Sequence, residues 1–415
     1  MQSIVFIESN TSGTGRLFAR AARLEGLRPV LFSSNPRRYP YLQEDNIEVQ
    51  IVDTQDDEKI YDLCVACAAS DGLAGVCSSS EYFVAVAARL AARLGLRGPS
   101  AIAVERCRDK LYQRTILAES GLLVPAVRAV RNVDYAMSAA REIGLPLVVK
   151  PINGSGSVGV RMCRSIEEVH AHASYLFLEQ ESVVDSVQAK QFQILIESYI
   201  DGPEFSVETF AGNVFGITRK HVSPLPHFLE VGHDFPAVLA NEEEEAIVST
   251  AVAALKALDL NWGATHIELR LTKAGPVVVE ANPRLAGGFI PELIRYATGV
   301  DLIVNLIRLS VGRQLQMDRK LCCHAAIRFL ITTRSGTLDL VRGLDVARNL
   351  SGIVDVSLYR GLGEVVFSRG DFRDRVGHII ACGFDAPATA DAVAAALSKI
   401  ELRVSQGQSS YGRHG

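Results

Sequence analysis

Two acidic residues, Glu268 and Glu280, lie in consecutive strand-like runs, HIELRLT and PVVVEANP, that only a short turn separates. If these strands pair as a hairpin, both carboxylates come to lie near one end of it. Alternate residues of a strand share a face, which places Asn282 beside Glu280. Carboxylate and amide oxygens are the ligands that Mg²⁺ prefers, and nucleotide phosphates commonly complete its shell. The pattern therefore predicts a magnesium site, with Arg284 placed to neutralise a transferring phosphoryl group.

One alternative is that Glu268 and Arg270 belong to a solvated strand face without chemistry. This alternative does not explain why a glutamate, an asparagine and an arginine end an apolar run in VEANPR. The metal site is therefore the preferred interpretation.

Lys150 ends the apolar run LPLVVKP, directly before a glycine-rich turn. The residues of this turn that could hold phosphate are Gly154, Ser155, Gly156 and Ser157. The glycines let backbone N–H groups approach phosphate oxygens without obstruction by a Cβ. Because strand-like runs flank the turn, it is predicted to be a hairpin that closes over a triphosphate rather than a P-loop. Lys110, in the helical run RDKLYQR, is a second cation that would be interpreted as a surface residue if it stood alone.

The segment IESYIDGPEFSVE is predicted to be a strand followed by a hinge. Its backbone over Glu197, Ser198, Tyr199 and Ile200 could pair with the edge of an adenine. Glu204, after the Gly-Pro turn, could accept hydrogen bonds from ribose hydroxyls. Without the other motifs, this stretch would be an unremarkable turn.

The elements that carry these residues follow a regular order. Strand-like runs alternate with helical runs over the first hundred residues, which predicts a parallel sheet with crossover helices. A polar helix over AVERCRDKLYQRTILAESG follows. Hairpin-spaced strands after residue 192 predict a mixed or antiparallel sheet. Residues after about 320 hold further strands and an alanine-rich helix over 386–400.

Taken in order, the motifs resemble those of the ATP-grasp superfamily: RDK at 108–110, VVKP at 148–151 with GSGSVG after it, IESYIDGPEFSVE, IELR and VEANPR. The resemblance covers about residues 1–320. It implies that two α+β subdomains grip ATP, with Lys110 and Lys150 on phosphates and Glu204 on the ribose. It also implies that Glu268, Glu280 and Asn282 bind Mg²⁺, with Mn²⁺ as an alternative. Arg284 would then stabilise an acyl-phosphate.

Within this superfamily, the chain is most similar to the L-amino-acid ligases that form dipeptides, including antibiotic-forming enzymes of the bacilysin and dapdiamide type. The segment PHFLEVGHDFPA at 226–237 is similar to a substrate-contacting stretch of that group. By this resemblance, Glu230 and His233 face the amino-acid site, and Arg284 and Gly287 lie beside it. Glu81, after the strand GVCSSS, matches a polar position near the same pocket. The alternative for His233 is a loop histidine with local partners only.

The expected fold is α/β plus α+β with ATP-grasp architecture. Its predicted parts are an N-terminal parallel-sheet domain (1–100), a subdomain with the glycine-rich loop (101–185), a subdomain with the metal site (186–320), a C-terminal α+β section (321–404) and a flexible tail (405–415). The expected activity is that of an ATP-dependent carboxylate–amine ligase. A purine-pathway or biotin-carboxylase-like ligase, or a non-catalytic ATP-binding regulator, remains an alternative.

Composition limits the partners that we expect. The 415 residues are 48% hydrophobic and 22% charged, with a net charge of −4 and no block of like charge, which argues against nucleic-acid or membrane-surface binding. The eight cysteines mostly adjoin apolar residues and are expected to be reduced, buried thiols of a cytoplasmic protein. Small-molecule carboxylates and amines are the expected partners, and a homodimer stays open.

Overall fold

The computed structural model describes residues 1–10, 14–183 and 192–405. The chain forms two compact units, each built from several stretches. The first unit comprises Met1–Ala126, Ile200–Thr218 and Leu239–Lys320. The second unit comprises Val127–Tyr199, Arg219–Val238 and Leu321–Gly415. The finer division into four segments and a tail stays a prediction.

The first unit opens with the expected parallel sheet. Its strands are β1 (Ser3–Ile7), β2 (Arg28–Ser33), β3 (Glu48–Ile51) and β4 (Leu73–Cys77), in the order β3-β2-β1-β4. Its helices are α1 (Thr14–Leu24), α2 (Tyr41–Glu44), α3 (Asp57–Asp71) and α4 (Val84–Arg93). The connection from β3 to β4 passes to the other side of β1, so the carboxyl ends of β1 and β4 form a topological switch point, where open α/β sheets bind ligands. Glu81 follows β4 at this edge.

The polar helix expected over residues 103–121 is in fact two helices, α5 (Ala101–Arg108) and α6 (Lys110–Glu119). Asp109 interrupts them because its carboxylate accepts hydrogen bonds from the backbone N–H groups of Leu111 and Tyr112 and so caps α6. Lys110 is thereby the first residue of a helix.

The remainder of the first unit holds the predicted hairpin. Strands β12 (Ala264–Thr272) and β13 (Gly275–Asn282) pair antiparallel, and β9 (Glu204–Phe210) pairs with the other edge of β12. The register sets Glu268 opposite Glu280 and His266 opposite Asn282. Three helices accompany the hairpin: α9 (Asn241–Ala257), α10 (Ile290–Thr298) and α11 (Leu302–Ser310). The last two were not expected from the sequence.

The second unit contains the strand that carries Lys150. Four antiparallel strands, β5 (Val127–Val130), β6 (Leu147–Pro151), β7 (Arg161–Cys163) and β8 (Ile194–Ser198), lie in the order β5-β8-β6-β7. Helices α7 (Val133–Ile143) and α8 (Ile166–Val183) accompany this sheet. Alanines of α7 and valines of the strands form its core. The chain enters the first unit between Tyr199 and Ile200 and returns to the second within β10 (Asn213–Val222).

The C-terminal part of the second unit is more strand-rich than expected. Strands β11 (Glu230–Phe235), β14 (His324–Ile331), β18 (Arg375–Gly383) and β16 (Ile353–Leu358) pair antiparallel in that order. A three-stranded sheet, β17 (Val365–Val366), β15 (Gly336–Arg342) and β19 (Glu401–Ser405), lies with helices α12 (Leu344–Arg348) and α13 (Ala386–Leu397). Ser405, predicted to begin the tail, ends β19, and residues 406–415 lie outside the described part of the chain. Within the described ranges, no helix has the length and apolar character needed to cross a membrane.

Candidate active site

Two carboxylates face each other at the end of the hairpin in the first unit. Glu268 and Glu280 are direct cross-strand neighbours, an arrangement of like charges that is destabilising unless a cation compensates it. Lys110 Nζ lies 3.5 Å from Glu280 Oε1, and His266 Nε2 lies 3.1 Å from Glu268 Oε1. Asn282, at the same end of β13, is buried. Two carboxylates and an amide suit a hard divalent cation, so the residues that are present fit Mg²⁺.

Lys110 and Arg270 are not the surface residues that the alternatives would require. Lys110 is only 7% exposed and pairs with Glu280. Arg270 is also 7% exposed, and its Nη2 lies 2.9 Å from Glu204 Oε2. The solvated-face interpretation of this strand is therefore wrong.

Arg284 contacts Glu81, whose carboxylate also lies 2.5 Å from Arg108 Nη1. Burial alone would raise the pKa of Glu81, but the guanidinium groups of Arg284 and Arg108 lower it to about 2. Burial likewise opposes the charge of Arg284, but the carboxylates of Glu81, Glu280 and Glu268 raise its pKa. A fixed cation therefore lies close to both predicted metal ligands, as stabilisation of a developing phosphoryl charge requires.

His266 joins Glu268 to a further buried carboxylate, Glu208. Its Nδ1 lies 3.0 Å from both Glu208 oxygens. Burial would lower the pKa of His266, but Glu208 and Glu268 together raise it to about 9.

The predicted nucleotide residues Glu197 and Glu204 both have protein partners. Lys150 Nζ lies 2.6 Å from Glu197 Oε2 in the second unit, and both side chains are buried. Arg270 binds Glu204 and also donates to the Ile200 carbonyl at 2.9 Å. The Tyr199 N–H donates to the Pro146 carbonyl, so this one donor of the 197–200 backbone is used within the protein. The adenine and ribose roles stay predictions.

The glycine-rich loop lies between β6 and β7, as predicted, but it is attached to the C-terminal part of its own unit. The Phe372 N–H donates to the Gly156 carbonyl at 3.2 Å, and Ser157 Oγ donates to the Phe228 carbonyl at 2.7 Å. A Cβ at Gly156 would lie 2.5 Å from the Phe372 ring, and the Gly156 φ of +66° favours glycine in its own right. The hairpin predicted to close over a triphosphate is therefore held by hydrogen bonds that join Gly156 and Ser157 to other segments of its own unit.

Glu230 and His233 both lie in β11, so the interpretation of His233 as a loop histidine is wrong. Lys220 Nζ lies 2.7 Å from Glu230 Oε1, and Arg375 Nη2 lies 2.9 Å from Oε2. Although burial favours the neutral acid, Lys220, His233 and Arg375 hold the pKa of Glu230 well below its usual range. His233 is fully buried, with Nε2 3.6 Å from Glu230. The amino-acid roles of both residues stay predictions.

Gly287 lies in the turn between β13 and α10, and a Cβ there would meet no atom within 4 Å. This turn therefore has open space beside Arg284, compatible with its predicted place near a substrate.

Four charged residues of these clusters were missed at the sequence level: Arg108, Glu208, Lys220 and Arg375. The alternation of FSVE places Glu208 on the face of Ser206, which was an available signal. Arg108 belongs to the same RDK motif as Lys110, but the motif predicted a role for Lys110 alone. For Arg375 no local signal exists, because its partner Glu230 is 145 residues away.

Two family models match this chain: "ATP-grasp domain" over residues 143–292 and "L-amino acid ligase C-terminal domain 2" over residues 328–405. Among relatives, an uncharacterized protein y4rH of Sinorhizobium fredii is 37% identical over 92% of this chain and 79% of its own length. Carnosine synthase 1 of Gallus gallus is 28% identical over 70% of this chain. Alanine–anticapsin ligase of Bacillus amyloliquefaciens is 27% identical over 64%. The alignments span only 33% and 60% of these last two proteins.

Solved structures share the fold over nearly the whole chain. An L-amino acid ligase from Bacillus licheniformis aligns over 98% of this chain and 99% of its own, with a TM-score of 0.84 and 22% identity. Phosphoribosylglycinamide synthetase from Anaerococcus prevotii aligns over 97% of this chain and 100% of its own, with a TM-score of 0.71 and 17% identity. At these identities the likeness concerns the fold.

Proposed function

Because this chain belongs to the ATP-grasp superfamily, in the group of the L-amino acid ligases, we propose that it joins a carboxylate to an amine at the expense of ATP. The observation that carries this proposal is the cluster of Glu268, Glu280, Lys110 and Arg284. In such a cluster the two carboxylates could hold a divalent cation, while Lys110 and Arg284 could neutralise charge on a triphosphate and on the phosphoryl group transferred from it.

The reaction has two steps. An oxygen of the acid substrate attacks the γ-phosphorus of ATP, the bond to the bridging oxygen breaks, and ADP leaves. A neutral amine then attacks the acyl carbon of the acyl-phosphate, phosphate leaves, and the nitrogen gives up a proton as the amide forms. A nearby base or a desolvated pocket must keep the amine neutral.

The residues of the chain divide between these tasks. Lys110 and Lys150 neutralise phosphate oxygens, and Arg284 stabilises the acyl-phosphate. Glu268, Glu280 and Asn282 would hold Mg²⁺, or Mn²⁺ in its place, and a cation held there would supply positive charge to the phosphate oxygens. The backbone over 197–200 pairs with adenine, Glu204 contacts the ribose, and the loop from Gly154 to Ser157 excludes water from the acyl-phosphate.

An L-amino acid is the proposed substrate, which makes the product a dipeptide or a related amide. The residues that we assign to this substrate are Glu81, Arg284 and Gly287 of the first unit and Glu230 and His233 of the second. The similarity to alanine–anticapsin ligase and carnosine synthase 1, whose names describe enzymes acting on amino acids, supports this choice. We propose a cytoplasmic enzyme, in keeping with the finding that none of the eight cysteines forms a disulfide. Only Cys64, Cys107 and Cys163 are buried, so the expectation of buried thiols holds for these three alone.

The main rival is a purine-pathway or biotin-carboxylase-like ligase. Its fold is related, but the match of residues 328–405 to the L-amino acid ligase C-terminal domain favours the amino-acid enzyme. A non-catalytic nucleotide sensor is disfavoured because binding alone needs no arginine held beside the two facing carboxylates.

Trapping of the acyl-phosphate tests the proposal. With ATP, Mg²⁺, single amino acids and hydroxylamine, we expect an amino-acid hydroxamate and ADP to form in equal amounts. If no amino acid yields a hydroxamate, the ligase assignment is wrong, even if the protein binds ATP.

A further inference from the structure

His266 lies at the centre of a buried hydrogen-bond chain in the first unit. Its Nδ1 lies 3.0 Å from both oxygens of Glu208, and its Nε2 lies 3.1 Å from Oε1 of Glu268. His266 and Glu208 are each 4% exposed, so water competes little for these bonds. Ser206 Oγ donates to Glu208 Oε1 at 2.7 Å and fixes the far end of the chain.

A purely structural role does not explain this arrangement. Burial of an imidazole with a carboxylate costs solvation energy, and an apolar side chain of similar volume would fill the same space at lower cost. The next residues on the opposite face of β12, Ile267 and Leu269, are fully buried apolar residues. Packing alone therefore does not account for this polar hydrogen-bond chain. The chain ends at Glu268, whose side chain is 20% exposed.

We infer that His266 is a positioning residue for the metal ligand Glu268, with Glu208 fixing the orientation of the imidazole ring. The bond to Oε1 restrains the rotation of the Glu268 carboxylate, so that the carboxylate is presented to the divalent cation in one orientation. Partners of this kind commonly contribute a factor of about 10–100 to metal affinity. The inference rests on the proposed function, because it assumes that Glu268 binds the cation.

Binding of Mn²⁺ to the full-length protein with ADP, followed by electron paramagnetic resonance, tests the inference without catalysis. We expect His266→Gln to weaken Mn²⁺ binding by about 10–100-fold. Glu208→Gln should weaken it less, because the ring keeps its bond to Glu268. Binding of ADP without metal should be unchanged in both variants.

His378 offers a matched control in the second unit. It is 2% exposed, with Nε2 2.7 Å from Asp355 Oδ2 and Nδ1 2.6 Å from the Tyr359 hydroxyl. His378→Gln removes an equally buried histidine from a carboxylate contact, and it should leave the affinity for Mn²⁺ at the wild-type value.

The outcomes separate this inference from the proposed function. Wild-type affinity for Mn²⁺ in folded His266→Gln overturns the inference alone, as does an equal loss of metal-free ADP binding. If His266→Gln does not fold, Glu208→Gln decides, and unchanged affinity in that variant overturns the inference. If the wild-type protein binds no Mn²⁺ with ADP, the proposed function fails and the inference fails with it.

Discussion

Arg284 is the residue on which the proposed chemistry depends most at the residue scale. The run VEANPR predicts a role for Arg284 in stabilising phosphoryl charge, because an arginine just beyond Glu280 and Asn282 lies near whatever they bind. The sequence did not predict its contact with Glu81, since 203 residues separate the two and no local pattern reports such a contact. The position of the Arg284 side chain therefore depends on a residue from a distant part of the chain.

Arg284→Lys and Glu280→Gln should each lower kcat by about 10²–10³-fold while the thermal unfolding temperature changes little. Lysine keeps the charge but loses the planar fork, and glutamine removes a ligand charge. Steady-state kinetics and melting curves measure both effects. Arg295→Lys, at an arginine–glutamate pair on α10, is the control and should keep wild-type kcat. Near-normal kcat in either site variant would remove the assigned role.

Glu81 makes stability depend on pH in the acid range. Its pKa is about 2 in the folded protein and about 4.5 in the unfolded chain. Folding therefore gains stability from this group above pH 4.5 and loses it as the pH falls towards 2. We expect the free energy of unfolding to fall less steeply over this range in Glu81→Gln, as measured by denaturant titration at several pH values. Equal slopes in the two proteins would refute the buried-pair account.

At the element scale, the feature to test is the glycine-rich loop with the contacts that Phe372 and Phe228 make to it. Alternation and turn residues predicted a hairpin with Glu268 and Glu280 near one end and a loop flanked by strands. These two contacts were not predictable, because Phe372 and Phe228 lie in segments that are remote from the loop in sequence. The break between α5 and α6 was readable from Asp109 as a capping residue, but the segment was predicted as one polar helix.

Phe372→Ala should loosen the loop over residues 154–159. The truncation removes the ring that packs against Gly156, so backbone amide hydrogens of this segment should exchange several-fold faster. Hydrogen–deuterium exchange with mass spectrometry measures the change. Phe367→Ala, at a phenylalanine that is 49% exposed, serves as the control. Exchange that stays at the wild-type rate in Phe372→Ala would show that the ring does not hold the loop.

At the scale of the whole molecule, the residues proposed to act on ATP are divided between two units. Lys150 and the glycine-rich loop belong to the second unit, whereas Lys110, Glu280 and Arg284 belong to the first. The order of motifs predicted the superfamily correctly. The sequence could not predict that residues 321–405 would supply Arg375 and Phe372 to clusters of the second unit, because these contacts depend on the tertiary arrangement of β11, β18 and the loop.

The most direct test of the ligase account is a panel of amino acids, supplied singly and in pairs with ATP and Mg²⁺. ADP release is measured together with the mass of the product. We expect a subset of pairs to yield ADP and, in equal amount, a product with the summed mass of both amino acids less one water. Binding of ATP without ADP release, or ADP release without any condensed product for every pair, would contradict the account.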